Sequence, residues 1–176
     1  ITDLSNLFGF IKFYKELRKK GIKPICGSDF LLLGENTNSG NLQLLVKNHK
    51  GYKNLIRLIS KSHTTGKING NPFLSVKDLE EYSEGLLLIT GAIDSQIGQS
   101  ILAGKNDIAL KQIKYLKNLY KDNFFLQLTR TGKNQEELCN QSLIEFANEL
   151  SIPLVATNQV RFLSKEDFEA HETRVC

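Results

Sequence analysis

The chain has 176 residues, 40% of them hydrophobic, 9% aromatic and 24% charged. That is enough apolar material for one sizeable core, and it excludes disorder as the dominant state. With 23 Lys and Arg against 19 Asp and Glu, the formal net charge is only +4, an excess too mild to mark a nucleic-acid reader by itself.

Leu7, Phe10, Ile11, Tyr14 and Leu17 recur at three- and four-residue spacing, which predicts a helix over 6–20 with Ser5 as its cap and Gly21 as its stop. Residues 22–26 and 30–33 read as short strands divided by a Gly27-Ser28-Asp29 turn, and a polar loop over 34–40 leads to a strand over 42–46. Gly51 precedes a second amphipathic helix with Tyr52, Leu55, Ile56 and Ile59 on one face, and 64–72 reads as a loop. Ser75 and Asp78 have capping-box spacing for a short helix that ends near Ser83. The continuous apolar run 86–89 suits a strand covered on both faces.

A short helix over 95–102 ends at Gly104, and a longer one over 107–120 carries Ile108, Ile113, Leu116 and Leu119 or Tyr120 as its stripe. Residues 124–128 read as a strand and 129–133 as a loop. Asn134 is expected to cap a helix that runs to Leu150, with Glu136 and Glu137 in its first turn. A buried strand over 153–156 follows, and Ser164 to Asp167 opens a last helix.

Strand and helix alternate, so the expected class is α/β: a mostly parallel sheet or barrel with helices outside. In such folds chemistry gathers at the carboxyl ends of the strands, here residues 2–6, 27–29, 91–96, 129–132 and 158–161. Asp3 and Asp29 stand at two of them, able to hold one divalent cation between them or to serve as capping carboxylates. His49, His63 and His171 fall at none, which makes them surface or packing side chains. Glycine-rich phosphate loops and the Gly-x-Ser-x-Gly elbow are missing. Arg130, Lys133 and Arg161 could bind an anion or pair with acids on adjacent loops.

Arg18, Lys19, Lys20, Lys47, Lys105 and Lys133 are expected at helix ends and turns, which reads as a solvated surface rather than a DNA groove. Cys26, Cys139 and Cys176 are odd in number and widely spaced, so reduced thiols are expected, not a disulfide framework or structural zinc. No apolar run approaches the roughly 20 residues of a membrane span and no leader is present, so a cytoplasmic chain without membrane contact is expected. The absence of Met and the abrupt stop at Arg174-Val175-Cys176 mark the chain as an expected internal piece of something longer.

Several blocks carry a resemblance. Ile1 to Gly9, Gly21 to Phe30, Asn48-His49-Lys50-Gly51-Tyr52-Lys53-Asn54-Leu55, Phe125 to Gly132 and Val155 to Phe162 occur in one order, followed by Asp167-Phe168-Glu169-Ala170-His171-Glu172. Together they closely resemble the polymerase-and-histidinol-phosphatase (PHP) domain family, in the form found at the N-terminus of bacterial DNA polymerase III alpha subunits. The resemblance implies a distorted seven-stranded β/α barrel. It also implies that a first strand with a His-x-His motif precedes Ile1 and a polymerase palm follows Cys176.

Active members of the family hold a metal cluster in the barrel, and the resemblance places its ligand positions here. Asp3 is retained and Asp29 is an acidic equivalent of Glu, but Leu4, Asn41 and Ala92 stand for two His and a Cys. Gln127 and Thr131 stand for Glu and His, and Gln159 and Arg161 for Asp and His. Amides are weak ligands, Leu and Ala are none, and Arg161 brings a fixed positive charge that could stand in for a metal by pairing with Asp3 or Asp29. The expectation is therefore a domain without metal or catalytic residues, supporting a DNA polymerase whose palm uses magnesium. Its expected partners are the other domains of the alpha subunit, the proofreading exonuclease, the replicative holoenzyme with its sliding clamp, and DNA through the parent protein. A residual metal-dependent phosphoesterase or exonuclease is the alternative.

Overall fold

The computed structural model describes residues 1–34, 39–158, 160 and 162–175. Its strands are β1 (Thr2–Leu4), β2 (Gly27–Leu33), β3 (Ser39–Val46), β4 (Lys67–Ile68), β5 (Asn71–Pro72), β6 (Leu86–Thr90), β7 (Phe124–Leu128) and β8 (Leu154–Ala156). Its helices are α1 (Phe10–Lys19), α2 (His49–Thr64), α3 (Val76–Tyr82), α4 (Gln96–Leu102), α5 (Asn106–Tyr120), α6 (Glu136–Leu150) and α7 (Phe168–Val175). Six strands form one sheet in the order β1-β2-β3-β6-β7-β8, while β4 and β5 make a small separate hairpin inside the stretch read as a loop. The class is α/β as expected, with six strands in this sheet among the described residues where the resemblance implies seven.

Three of the five pairings are parallel; β3 runs antiparallel to both β2 and β6. Only residues 34–38 separate β2 from β3, fewer than the dozen or so that a parallel crossover needs, so the chain folds back on itself. Along these strands side chains alternate between two faces. Phe30, Leu32, Leu42, Leu44, Leu86, Leu88, Phe124 and Leu126 are buried, packing into one core with Leu55, Leu58, Ile97, Ile113, Leu116 and Leu143 from the helices. Register then fixes the other face: Asp29 stands opposite Gln43, Leu31 opposite Asn41, and Gln127 opposite Val155.

Several boundaries depart from the sequence reading. Residues 22–26 form no strand, and the Gly27-Ser28-Asp29 triplet read as a turn is the start of β2. The glycine answers a packing need: a Cβ at 27 would lie 2.5 Å from Leu45 Cδ2, 2.7 Å from the Leu44 carbonyl and 2.9 Å from Thr2 Cγ2. α1 begins at Phe10, not residue 6, because Ser5 takes a left-handed φ of 52° and the polar turn after it is closed by Asn6, whose Oδ1 accepts from the Phe8 amide.

α2 begins at a tight crossing. Asn48 Oδ1 accepts from the Gly51 amide at 3.0 Å as the N-cap, and Asn54 Nδ2 donates to the Glu84 carbonyl at 2.9 Å. Gly51 lies inside the helix's first turn, where a Cβ would meet the Gly85 carbonyl oxygen at 1.9 Å. α3 carries the predicted capping box, with the Ser75 amide donating to Asp78 Oδ2 at 2.8 Å and the Asp78 amide to Ser75 Oγ at 3.3 Å. Lys61 Nζ ties α2 to α3, 3.0 Å from Asp78 and 2.7 Å from Glu81.

α6 is not capped by Asn134. Gln135 occupies the cap position at a φ of 69°, and the organising group is the carboxylate of Glu136, which is only 5% exposed. It accepts from the amides of Thr131 (2.7 Å), Gly132 (3.0 Å) and Lys133 (3.2 Å), and from the hydroxyls of Thr129 (3.1 Å) and Thr131 (2.8 Å). Burial pushes this carboxyl up, but the Thr131 donors and their neighbours outweigh it and hold the group below its ordinary value of 4.5.

Two outcomes are expected. Gly51→Ala should lower stability by about 3 kcal/mol in urea melts, at the upper end of overpacking costs; Gly21→Ala, with open space but a φ of +72°, should cost about 1 kcal/mol. Glu136→Ala should cost about 3 kcal/mol, because it strips several amides of a charged acceptor. A carboxyl more acidic folded than unfolded contributes above its ordinary pKa and loses that contribution as pH falls through its folded value. Stability measured from neutral pH into the acid range should therefore fall less steeply for Glu136→Gln than for the unaltered chain.

Candidate functional site

The face of the sheet that turns away from the leucine core borders a cavity of about 540 Å³. Thr2, Leu4, Asp29, Leu31, Asn41, Gln43 and Gln127 line it from the strands, Gly91, Ala92, Asp94 and Ser95 from the segment after β6, and Thr157, Asn158 and Val160 from beyond β8. Both edges of the sheet therefore contribute to one space. Of the nine positions singled out by resemblance, Asp3, Leu4, Asn41, Asp29, Ala92 and Gln127 meet around it. Thr131 does not; its hydroxyl and amide are turned to Glu136. Gln159 and Arg161 lie outside the described residues, and so does the expected pairing of Arg161 with Asp3 or Asp29.

Each carboxylate in the cavity has protein donors. Asp3 Oδ2 accepts from the Gly9 amide at 3.0 Å, which places a negative charge at the start of α1, where the helix dipole favours it. Asp29 Oδ1 accepts from Gln43 Nε2 at 2.9 Å, and the same amide group lies 3.1 Å from Thr2 Oγ1. The third is Asp94, whose Oδ2 lies 2.8 Å from Lys133 Nζ and whose carbonyl accepts from the Asn41 amide at 2.8 Å. Neither Asp94 nor Gln43 was singled out in the sequence. The signal for Gln43 was its two-residue spacing from Asn41; for Asp94 it was the place four residues past the end of β6.

Thr90 and Ser95 explain how the loop after β6 is held. Thr90 Oγ1 donates to the Asn41 carbonyl at 3.2 Å, and Ser95 caps α4 by accepting from the Gly98 amide at 2.9 Å. Arg130 sits at the surface with its guanidinium on Glu137, at 2.9 and 3.2 Å. Of the two described cations read as anion binders or ion-pair partners, Arg130 therefore pairs with Glu137 and Lys133 with Asp94. His49 opens α2, His171 lies in α7, and His63 Nε2 donates to the Ser5 carbonyl at 2.8 Å.

As donors for a divalent cation the cavity offers the carboxylates of Asp3, Asp29 and Asp94, each of which already has a partner within the protein. Amide oxygens from Asn41 and Gln127 bind such ions weakly and Leu4 and Ala92 offer no donor. Among the described residues, no three His, Cys, Asp or Glu side chains gather as a metal-holding group. Cys26 and Cys139 are buried, and burial pushes each thiol up to about 11, so neither is a thiolate near neutral pH. Among the described residues no helix is long and apolar enough to cross a membrane.

The family model for the PHP domain matches residues 1–131. The DNA polymerase III subunit alpha of Vibrio cholerae is 38% identical over 177 residues, covering 99% of this chain and 15% of that protein. The subunit of the same name from Pseudomonas aeruginosa is 38% identical over 178 residues, covering 100% of this chain and 15% of the relative. That of Escherichia coli K12 is 39% identical over 179 residues, covering 99% and 15%. This chain thus spans about 15% of the length of the relatives it matches. Matched from its first residue through 131 of 176, it belongs to the PHP domain family.

Proposed function

We propose that this chain is the PHP domain of a replicative DNA polymerase III alpha subunit. There it supports the polymerase core and docks the proofreading exonuclease without chemistry of its own. The observation that carries the reading is the lining of the cavity: six of the family's ligand positions converge there, and four of them are Leu4, Asn41, Ala92 and Gln127. Two carboxylates remain, Asp3 and Asp29, and each accepts a hydrogen bond from the protein. DNA-templated synthesis, with its magnesium, belongs in this reading to a palm elsewhere in the parent subunit, within the holoenzyme and its sliding clamp.

The same reading takes the sheet to be part of a PHP barrel. β1 and the segment after β8 belong to opposite edges of the sheet yet wall one cavity, which calls for a strongly curved sheet. The seventh strand would close the ring between those edges, and the His-x-His motif of active members would ride on it. A cavity without catalytic metal leaves the barrel as a rigid body whose use is its surface.

Two measurements test this. An ion bound at a hundred times its dissociation constant adds about 2.7 kcal/mol of stability, so binding would be plain in a melt. Zinc and manganese should leave the melting temperature of the full chain unchanged, and elemental analysis should find neither in stoichiometric amount. A bound ion with chelator-sensitive phosphate release would overturn the reading in favour of a residual phosphoesterase. Separately, the immobilised chain should retain the proofreading exonuclease of its own replication system at micromolar concentration; absence of retention would remove the docking role.

A further inference from the structure

The mild net charge of the chain conceals a segregation. Between residues 12 and 23 lie six of its 23 cations and one of its 19 acids. Seventeen cations and eighteen acids remain elsewhere, so this one stretch carries the whole positive excess. It is α1 and the residues that follow it, with Lys12, Lys15, Arg18, Lys19, Lys20 and Lys23 all exposed.

Lys12, Lys15 and Lys19 follow one another at three- and four-residue spacing, which puts them on one face of α1, with Arg18 beside them. The helix is held from the other side: Phe10 is buried against Tyr14 and Tyr52, at 5.8 and 6.3 Å between ring centroids, and Leu7 and Phe13 pack on the core. Glu16 pairs with Lys19 at 2.8 Å. Among the described residues, no acid pairs with Lys12, Lys15, Arg18, Lys20 or Lys23.

Helix capping explains part of this. Arg18 and Lys19 lie in the last turn, where cations complement the dipole, but Lys12 and Lys15 lie in the first half and Lys23 beyond the end. We propose that this face of α1 contacts the phosphate backbone of a DNA duplex, without reading its sequence. Charge complementarity points there. Cations three and four residues apart recur every ~5 Å along a helix, and a duplex offers one negative charge per ~1.7 Å of its axis. Protein interfaces are depleted in Lys, and five of these six cations are Lys. Lysine meets phosphate as a point charge, and no Asn or Gln stands on this stretch to read base edges.

The contact goes beyond the role proposed above and stands or falls separately from it, because neither the cavity nor the exonuclease takes part. The test is titration of a fluorescent duplex with the full chain over a range of salt concentrations. Each lost phosphate contact lowers the slope of log K against log salt by about 0.9, so Lys12→Gln/Lys15→Gln/Arg18→Gln should lower it by about 3 and weaken low-salt binding at least about tenfold. Lys53→Gln/Lys77→Gln/Lys114→Gln removes as many exposed charges from other faces and should leave affinity and slope near those of the unaltered chain. Equal losses in the two variants would reduce the effect to net charge and overturn the proposal. Retained duplex affinity in the α1 variant, with binding to poly-glutamate lost instead, would overturn it too, by assigning the face to an acidic protein. Circular dichroism of both variants checks that the helix content is kept.

Discussion

The two-residue period of β2 and β3 governs the rest of the molecule. Every second side chain, from Phe30 and Leu32 to Leu42 and Leu44, enters the leucine core beneath the helices. Burial of such side chains contributes roughly 2 kcal/mol each, and a slip by one residue would turn all of them to the wrong face. The register is therefore held by the core, and the opposite parity follows with no freedom left. Asp29, Leu31, Asn41 and Gln43 must face the cavity because Phe30 and Leu44 must not.

Carboxylates that lie near the cavity are bound into the fold. Asp3 takes the Gly9 amide at the start of α1, Asp29 takes Gln43, and Asp94 meets Lys133. Glu136 gathers three consecutive amides of the loop after β7 and so fixes where α6 begins. A charged acceptor on backbone amides forms among the stronger hydrogen bonds available to a protein. These acids therefore do the work of helix caps and loop closures, work that persists whether or not a metal ever enters the cavity.

Most elements were legible because their signals are local. The helix stripes of α2 and α5, the capping box at Ser75 and the apolar run of β6 each declare themselves within a few residues. What was lost depends on contacts that no local pattern marks. Gly27 looked like a turn glycine because its composition is that of a turn, yet its need is clearance from Leu45 and Thr2 across the sheet. Asn134 looked like a cap, and nothing nearby said that Glu136 would organise the loop in its place. In the cavity, Asp3, Asp29, Asn41, Ala92 and Gln127 could be placed by resemblance, but Gln43 and Asp94 emerge only when register and the β6 loop are seen together.

The blocks that carry the family resemblance also contain more architecture than chemistry. Asn48-His49-Lys50-Gly51 is a helix start: Asn48 caps, Gly51 leaves room for the Gly85 carbonyl oxygen, which a Cβ there would meet at 1.9 Å, and neither lines the cavity. Thr129 and Thr131 bind Glu136. Gly27 admits β2 between its neighbours. Such residues answer to packing and backbone hydrogen bonding, constraints separate from the choice of the side chains that line the cavity, Leu4, Asn41, Ala92 and Gln127 among them. A chain can in this way keep the recognisable wording of its family through the residues that build the fold, because fold and chemistry are encoded by different residues of the same blocks.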